Sequence, residues 1–197
     1  RLIAGERVTH DGLHFKMQDV ALNIRPVQKQ VPIYVAGLRR EVPYHIGKQG
    51  RALFTVPYAA VDQFSGIGDM AADFERGRAE AKAAPMPADL PPHICCLHTH
   101  VAESDAQAER TVREPFELYC RTRLYAKPFS YEDIQKTGVC LFGSVEHVAD
   151  KIAALARAGL GGLNALQNFG AMPDADVRRS MTLMAKEVMP LVRKKLQ

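Results

Sequence analysis

Val31-Pro-Ile-Tyr-Val-Ala-Gly37 is the stretch that decides the predicted fold. It is a short run of β-branched and aromatic residues that ends in a glycine, which is typical of a buried strand. A short helix is predicted over about 40 to 49, stopping at Gly50, and Ala52-Leu-Phe-Thr-Val-Pro57 is a second strand candidate. Because a helix joins the two strands, we expect them to be parallel neighbours with a right-handed crossover.

The same alternation of strands and helices continues through the rest of the chain. The pattern predicts a helix from Asp69 to Ala84, a strand from His93 to Val101 and a helix capped by Ser104 with Gln107. The next predicted helix is capped by Ser144, carries an apolar stripe of Val145, Val148, Ile152 and Leu155, and is closed by Gly159. A strand from Leu163 to Phe169 follows, and a last helix begins at Pro173 and lines one side with Val177, Met181, Met184, Val188 and Leu191. Four βα units result. A (β/α)₈ barrel needs eight strands and about 250 residues, so this is half of one. An open doubly wound sheet fits the period equally well.

The first thirty residues follow a different pattern. From Arg7 to Gln30 the apolar residues alternate loosely around the turn signal Asp11-Gly12. That pattern predicts a small β-hairpin. We therefore divide the chain into a hairpin insertion over 1–30 and a half-barrel over 31–197.

Composition excludes several classes of protein. The chain has 197 residues, of which 47% are hydrophobic and 24% charged, as in an ordinary globular protein. The net charge of +4 is scattered, so no nucleic-acid partner is expected. No apolar run approaches the roughly 18 residues of a membrane span, and no membrane partner is expected. Four cysteines without a CxxC pair favour reduced thiols in a cytoplasmic protein.

Several motifs, in order along almost the whole chain, carry a family resemblance. They are Thr9-His-Asp-Gly-Leu-His-Phe15, Arg25-Pro-Val-Gln28, Val31 to Gly37, Val101-Ala-Glu-Ser-Asp-Ala-Gln-Ala108, Arg113-Glu-Pro-Phe-Glu-Leu-Tyr119, Phe142-Gly-Ser-Val-Glu-His-Val-Ala149, Gln167-Asn-Phe-Gly170, and Met181 to Pro190. In this order they resemble luciferase-like flavin-dependent monooxygenases. The resemblance assigns Val31–Gly37 to the fifth strand of a TIM-type barrel and the chain to its C-terminal half.

The resemblance implies an oxidoreductase that uses reduced FMN, or a deazaflavin in some members, as its cofactor. With FMN such an enzyme oxidises a small organic substrate with O₂, and a flavin reductase is an expected partner. Homo-oligomers, often dimers, are also expected. Since the chain begins at Arg1 rather than Met, we expect it to be one part of the enzyme and inactive alone.

The loop after the predicted fifth strand is the expected cofactor contact. In the family this loop helps to hold the flavin phosphate, which suits the amides and dipole of a helix start. The cofactor-binding candidates here are Gly37, Leu38, Arg39 and Arg40. Leu38 and Glu41 stand where many members have small hydroxyl residues, and the two arginines would supply charge-assisted contacts instead. The alternative is a solvated helix start.

His98 and His100 are the candidate catalytic residues. They share one strand face with Cys96, and the resemblance implies that polar residues of this strand face the substrate cavity. Packing against neighbouring strands and zinc ligation are the alternatives, and no metal site is assigned. Asn168 either reaches the mouth of the barrel or caps its strand.

Two other functions compete with a flavin enzyme. Leu97-His-Thr-His-Val-Ala-Glu103 also resembles a strand of metal-dependent amidohydrolases, but a second H-x-H motif does not occur in the sequence. The altered phosphate loop favours a non-catalytic, diverged half-barrel subunit. The substrate and the choice between FMN and deazaflavin are left open by the sequence.

Overall fold

The computed structural model of the protein describes residues 1–28, 31–82, 90–122 and 129–197. These residues form two compact units. The first comprises Arg1–Ile33 together with Leu90, and the second comprises the described residues from Tyr34 onward except Leu90. The division between the units therefore falls within the predicted strand, at Tyr34. The interpretation of the first unit as an insertion into a barrel stays a prediction.

The first unit contains the predicted hairpin. Strands β1 (Val8–Asp11) and β2 (Lys16–Val20) pair antiparallel, with Asp11 opposite Lys16 at the turn. A bidentate salt bridge joins the two sides of the hairpin. Nε and Nη2 of Arg7 donate to the two carboxylate oxygens of Asp19, each over 2.7 Å. The alternation around Asp11-Gly12 thus predicted this element correctly.

The second unit alternates strands and helices. Its elements are β3 (Tyr34–Gly37), α1 (Val42–Lys48), β4 (Ala52–Thr55), a 3₁₀ turn (Pro57–Ala59), α2 (Ser65–Ala79), β5 (His93–Ala102), α3 (Asp105–Thr122), α4 (Tyr131–Thr137), β6 (Leu141–Ser144), α5 (Val145–Arg157), β7 (Gly162–Leu166), α6 (Asp174–Leu183), a π-helical turn (Met184–Val188) and α7 (Met189–Leu196). No helix of the described residues is long and apolar enough to cross a membrane.

The sheet is parallel, in the order β3-β4-β5-β7. The central strand β5 is ten residues long, so that its second half extends beyond both neighbours. There residues Thr99 to Ala102 pair with the short strand β6. The four main strands are the four that the sequence predicted, and β6 is an additional one.

Helices cover one face of this sheet. Leu53 of β4 packs with Ile46 of α1 and Phe74 of α2, and Leu53 and Phe74 are completely buried. A larger apolar core joins β5, β6, α3 and α5. Three members of the apolar stripe predicted for α5, Val148, Ile152 and Leu155, are buried, and the fourth, Val145, is half buried.

Some predicted boundaries and one predicted face are wrong. Helix α2 runs from Ser65 to Ala79 instead of Asp69 to Ala84; residues 83–89 lie outside the described part of the chain. Strand β3 begins at Tyr34 rather than Val31; Pro32, in the part that is not strand, has no N–H to donate to a ladder. Met181 was expected on the buried side of the last helix but is 53% exposed. Residues 184–188 form a π-helical turn directly before α7, which contains Pro190. In a regular α-helix the ring of Pro190 would clash with the carbonyl oxygen four residues earlier.

Candidate functional site

The predicted cofactor loop lies at the carboxyl end of β3. Gly37 is its last strand residue, and a β-carbon there would stand 3.1 Å from Leu53 Cδ1 and 3.3 Å from Val42 Cγ1. A larger residue at this position would require the side chains of Leu53 and Val42 to shift by a few tenths of an ångström. Leu38 is half exposed and Arg39 is exposed, so that both are open to a ligand at this end.

Arg40 is already engaged by the protein. Its guanidinium forms an ion pair with Asp73 of α2, and Arg76 binds the other oxygen of the same carboxylate over 2.9 Å. These groups border an open groove of about 430 Å³ lined by Arg40, Glu41, Tyr44, His45, Asp73 and Arg76. Asp73 therefore competes with any anion for Arg40, while no ion pair of Arg39 is found within the described residues.

His98 lies inside an enclosure of aromatic rings. The ring centroids of Tyr58, Phe116, Tyr119 and Phe169 lie 4.7 to 5.3 Å from that of His98, and only 2% of His98 is exposed. Edge-on contacts of this kind stabilise aromatic pairs beyond the area that they bury. The imidazole of His98 is thus fixed in orientation and shielded from water.

The four rings of this aromatic enclosure come from three separate segments. Tyr58 follows β4, Phe116 and Tyr119 belong to the helix after β5, and Phe169 follows β7. The hydroxyl groups of Tyr58 and Tyr119 lie 3.2 Å apart and close one side. Because every one of these segments begins at the carboxyl end of a parallel strand, the enclosure lies at the end where barrel enzymes carry their active sites.

His100 lies two residues further along β5. It is 3% exposed, and its Nδ1 is buried with no hydrogen-bond partner among the residues that the structure describes. Burial lowers the pKa of His100, an effect that the carboxylate of Asp176 opposes in part. A neutral imidazole with such a nitrogen is unusual in a fully packed core, where buried polar atoms almost always have a hydrogen-bond partner.

A second polar group lies next to this part of β5. Ser180 of α6 is completely buried; its Oγ accepts from the backbone N–H of Val101 over 2.9 Å and donates to Gln167 Oε1 over 2.6 Å. This chain of hydrogen bonds ties the segment after β7 to the end of β5. Asn168, the next residue, is exposed in that segment.

Sequence reasoning missed the aromatic enclosure and the Ser180 contact. The His98–His100 spacing could be read from the strand period, but the rings around His98 are 18 to 71 positions away in the sequence. The strand also carries Cys96, which is half buried. Within the described ranges, no three His, Cys, Asp or Glu side chains are placed to hold a metal.

A further cavity of about 520 Å³ lies beside the start of α3. At its rim, Oδ1 of Asp105 accepts from the backbone N–H of Ser144 over 2.7 Å and lies 3.2 Å from His147 Nδ1. The Ser144 contact is the main cause of the lowered pKa of Asp105. The predicted helix cap is confirmed as well, because Ser144 Oγ accepts from the N–H of His147.

The fold and the position of these side chains define the class of protein: half of a parallel (β/α) barrel with polar and aromatic groups gathered at the carboxyl ends of its strands. The sequence model of the luciferase-like monooxygenases matches residues 1–161. The chain belongs to this family.

Solved structures share the fold at low sequence identity. Monooxygenase RslO1 of Streptomyces bottropensis superposes with a TM-score of 0.73 at 20% identity over 96% of this chain and 57% of its own. The oxygenating constituent of 3,6-diketocamphane monooxygenase from Pseudomonas putida, in complex with FMN, gives 0.66 at 20% identity over 95% and 58%. The coenzyme F420-dependent tetrahydromethanopterin reductase of Methanopyrus kandleri gives 0.64 at 14% identity over 96% and 59%.

The chain thus spans less than two thirds of the length of these structural neighbours. Their shared architecture identifies the sheet as the C-terminal half of a TIM-type barrel, and the open doubly wound sheet is set aside. No curated protein matches the sequence.

Proposed function

We propose that this protein acts in the oxidation of a small organic substrate by O₂ and a reduced flavin, with FMN as the cofactor and a deazaflavin as the alternative. Family membership supports the reaction class. Two structural neighbours support the cofactor class, since one was solved with FMN and another depends on coenzyme F420. A flavin reductase would supply the reduced cofactor.

The residues at the end of β3 fit one part of such a cofactor. When bound, the flavin supplies the redox chemistry, while the protein holds and orients it. Arg39 is exposed and without an ion pair in the described structure, so it is the cation available to a phosphate. Leu38 offers an apolar surface beside it. Arg40 would contribute only after exchanging Asp73 for the ligand.

The buried Nδ1 of His100, which has no hydrogen-bond partner in the described part of the chain, is the observation that carries the proposed site. A nitrogen in that state gains a hydrogen bond when a substrate oxygen or N–H approaches. Burial keeps the ring neutral, so it can either donate or accept, depending on its tautomer. His98, held by the aromatic enclosure, would position the neighbouring backbone and exclude water from the reacting groups.

Flavin titration tests the cofactor assignment. FMN is added to the purified chain, and quenching of flavin fluorescence gives the dissociation constant. We expect Arg39→Ala to weaken binding roughly tenfold, as loss of one charge-assisted contact implies. Asp73→Asn should strengthen binding, because Arg40 is then released. Arg110→Ala, which removes an exposed arginine of α3, is the matched control and should leave binding unchanged.

A non-catalytic subunit is the second candidate function. The capture of Arg40 by Asp73 and the presence of Leu38 and Glu41 in the phosphate loop favour it. Absence of FMN and coenzyme F420 binding by the folded chain would support this candidate and exclude a cofactor site formed by this chain alone. Binding of either one that responds to Arg39→Ala would exclude the non-catalytic subunit.

A further inference from the structure

The cavity beside the start of α3 has a histidine of fixed orientation in its wall. Nδ1 of His147 lies 3.2 Å from Oδ1 of Asp105, and both residues line the cavity. The same oxygen of Asp105 accepts from the backbone N–H of Ser144 over 2.7 Å. Asp105 is the first residue of α3, and His147 lies in the first turn of α5. The pair therefore joins the N-terminal ends of two helices.

Gly143 makes room for this pair. A β-carbon on Gly143 would stand 2.7 Å from Oδ1 of Asp105 and 2.9 Å from Nδ1 of His147. Both distances are shorter than a β-carbon tolerates, so any other residue at position 143 would displace at least one of the two side chains. The contact between Asp105 and His147 thus depends on a glycine that belongs to a third element, β6.

The contact with Asp105 decides what His147 offers to a ligand. Hydrogen bonding to Ser144 lowers the pKa of Asp105, and the resulting carboxylate can only accept hydrogen bonds. In the neutral imidazole of His147 the proton therefore lies on Nδ1, and Nε2 is left as an acceptor. His147 and Asp105 form two adjacent acceptors in one part of the wall, and they suit a ligand that donates.

Another part of the wall is built around Arg113. Its guanidinium lies over the ring of Tyr131, 4.5 Å from the ring centroid, and it binds the carboxylates of both Glu109 and Glu132. Asp105 adds a third carboxylate to the lining. Three carboxylates against one guanidinium leave two negative charges in excess while His147 is neutral. This balance disfavours an anion in the cavity and favours a cation.

We propose that this cavity binds a small organic cation, in which an ammonium group is carried on a compact aromatic or aliphatic body. The ammonium group donates to Nε2 of His147 and to the carboxylate of Asp105. The body of the ligand lies against Tyr131 and Phe142, whose rings are nearly parallel, with 7° between their planes. The volume of about 520 Å³ is in the usual range for sites of small molecules.

The cavity is separate from the proposed flavin and substrate site. Its lining comes from α3, α4, β6 and α5, whereas the cofactor candidates follow β3 and the catalytic candidates lie in β5. Phe142 connects the two sites, because its ring centroid lies 5.7 Å from that of Phe116 and 5.9 Å from that of Phe169. A ligand in the cavity would therefore contact a ring that packs on the aromatic enclosure of His98. This inference does not depend on the proposed function.

Titration with 2-phenylethylammonium tests the proposal, with the NMR signals of the probe as the readout. We expect the purified protein to bind it with a dissociation constant of about 1 mM or lower. The neutral 2-phenylethanol and the anion phenylacetate have the same aromatic body, and each should bind at least about tenfold more weakly, because the charge-assisted contact is lost. Failure of the probe to bind, or equal binding of all three compounds, would overturn the proposal.

Three variants locate the binding. Asp105→Asn keeps an oxygen for the Ser144 N–H but removes the charge, and it should weaken binding of the probe about tenfold. His147→Asn removes Nε2 and keeps a donor near Asp105, so it should weaken binding as well. His147 is exposed, and this variant therefore keeps the test decisive if Asp105→Asn does not fold.

Glu114→Gln is the matched control, because it removes an exposed carboxylate of the same helix outside the cavity. It should leave the dissociation constant of the probe unchanged. If neither Asp105→Asn nor His147→Asn weakened binding in protein with the circular dichroism spectrum of the parent, the probe would bind elsewhere and the proposal would be wrong. An equal loss in Glu114→Gln would show unspecific attraction between charges and would contradict it too.

Discussion

The backbone carbonyl of Pro115 occupies the space where a side chain on Gly170 would begin. A β-carbon on Gly170 would lie 1.6 Å from the Pro115 oxygen, and Gly170 has a positive φ of 59°. The segment after β7 therefore lies directly on helix α3. This contact holds Phe169 and Phe116, the immediate neighbours of the two residues, in the aromatic enclosure around His98.

Gly170→Ala should destabilise the protein by about 2 to 5 kcal/mol. Overpacking costs about 1 to 3 kcal/mol when side chains can adjust, and here the obstacle is backbone on a helix. The left-handed conformation adds about 1 to 2 kcal/mol for a residue with a β-carbon. Urea unfolding followed by circular dichroism measures the loss of free energy of unfolding.

Gly159→Ala separates the two contributions. Gly159 also has a positive φ, of 93°, but a β-carbon there meets no atom within 4 Å. Its substitution should therefore cost only the conformational part, about 1 to 2 kcal/mol. If the two variants lost the same free energy of unfolding, the contact between Gly170 and Pro115 would make no contribution to the effect of Gly170→Ala.

Gly77→Ala should separate helices α1 and α2. A β-carbon on Gly77 would lie 2.1 Å from the carbonyl oxygen of Tyr44 in the facing helix. Because both atoms belong to rigid helices, the helices must move apart, at about 1 to 3 kcal/mol. Gly68→Ala in the same helix is the control: it meets only the Ala158 β-carbon at 3.1 Å and gains up to about 1 kcal/mol in helix propensity. In thermal unfolding, the melting temperature of Gly77→Ala should be clearly lower than that of Gly68→Ala. Similar melting temperatures for the two variants would contradict the close contact between α1 and α2.

The elements of the fold follow from local patterns in the sequence. Alternation around Asp11-Gly12 predicted the hairpin, and the period of Val148, Ile152 and Leu155 predicted the buried side of α5. Such signals arise within a few residues and need no knowledge of the tertiary structure. Strand β6 was not predicted, because its four residues directly before a helix are too few to show a clear alternation of apolar and polar residues.

The surroundings of the site residues could not be predicted in the same way. The partner of Arg40 is Asp73, 33 residues away in α2, and the reason for a glycine at 170 is an oxygen of Pro115. Both depend on how distant segments meet, and no local period encodes that. The likeness to the family supplied the expected positions of Arg39, Arg40, His98 and His100, while their contacts came from the structure alone.

His98→Ala should destabilise the aromatic enclosure by about 2 to 4 kcal/mol. Removal of a buried ring leaves a cavity between four rigid aromatic side chains, which cannot collapse to fill it. His98→Phe preserves a ring of similar size and should recover more than half of the loss, as measured by urea unfolding. If His98→Phe proved as destabilising as His98→Ala, the nitrogens of His98 rather than its ring packing would be what stabilises the site.

Stability should decrease as the pH falls from about 6.5 to about 4, and His93 should be one cause. Burial against Phe74 lowers the pKa of His93 from 6.5 to about 4, while its Nε2 lies 2.9 Å from Thr55 Oγ1. In that pH range the unfolded chain binds a proton that the folded chain excludes, so protonation favours unfolding. The contribution is fully present above 6.5 and is lost by about 4. It amounts at most to about 3 kcal/mol.

The lowered pKa of His100 acts in the same direction, whereas the lowered pKa of Asp105 acts only as the pH falls below its ordinary value of 3.8. Urea unfolding at a series of pH values should therefore show a shallower dependence for His93→Gln than for the parent between 6.5 and 4, with little difference between their slopes above pH 7. An unchanged slope in His93→Gln would mean that His93 accepts its proton in the folded state, and that its burial against Phe74 does not keep it neutral.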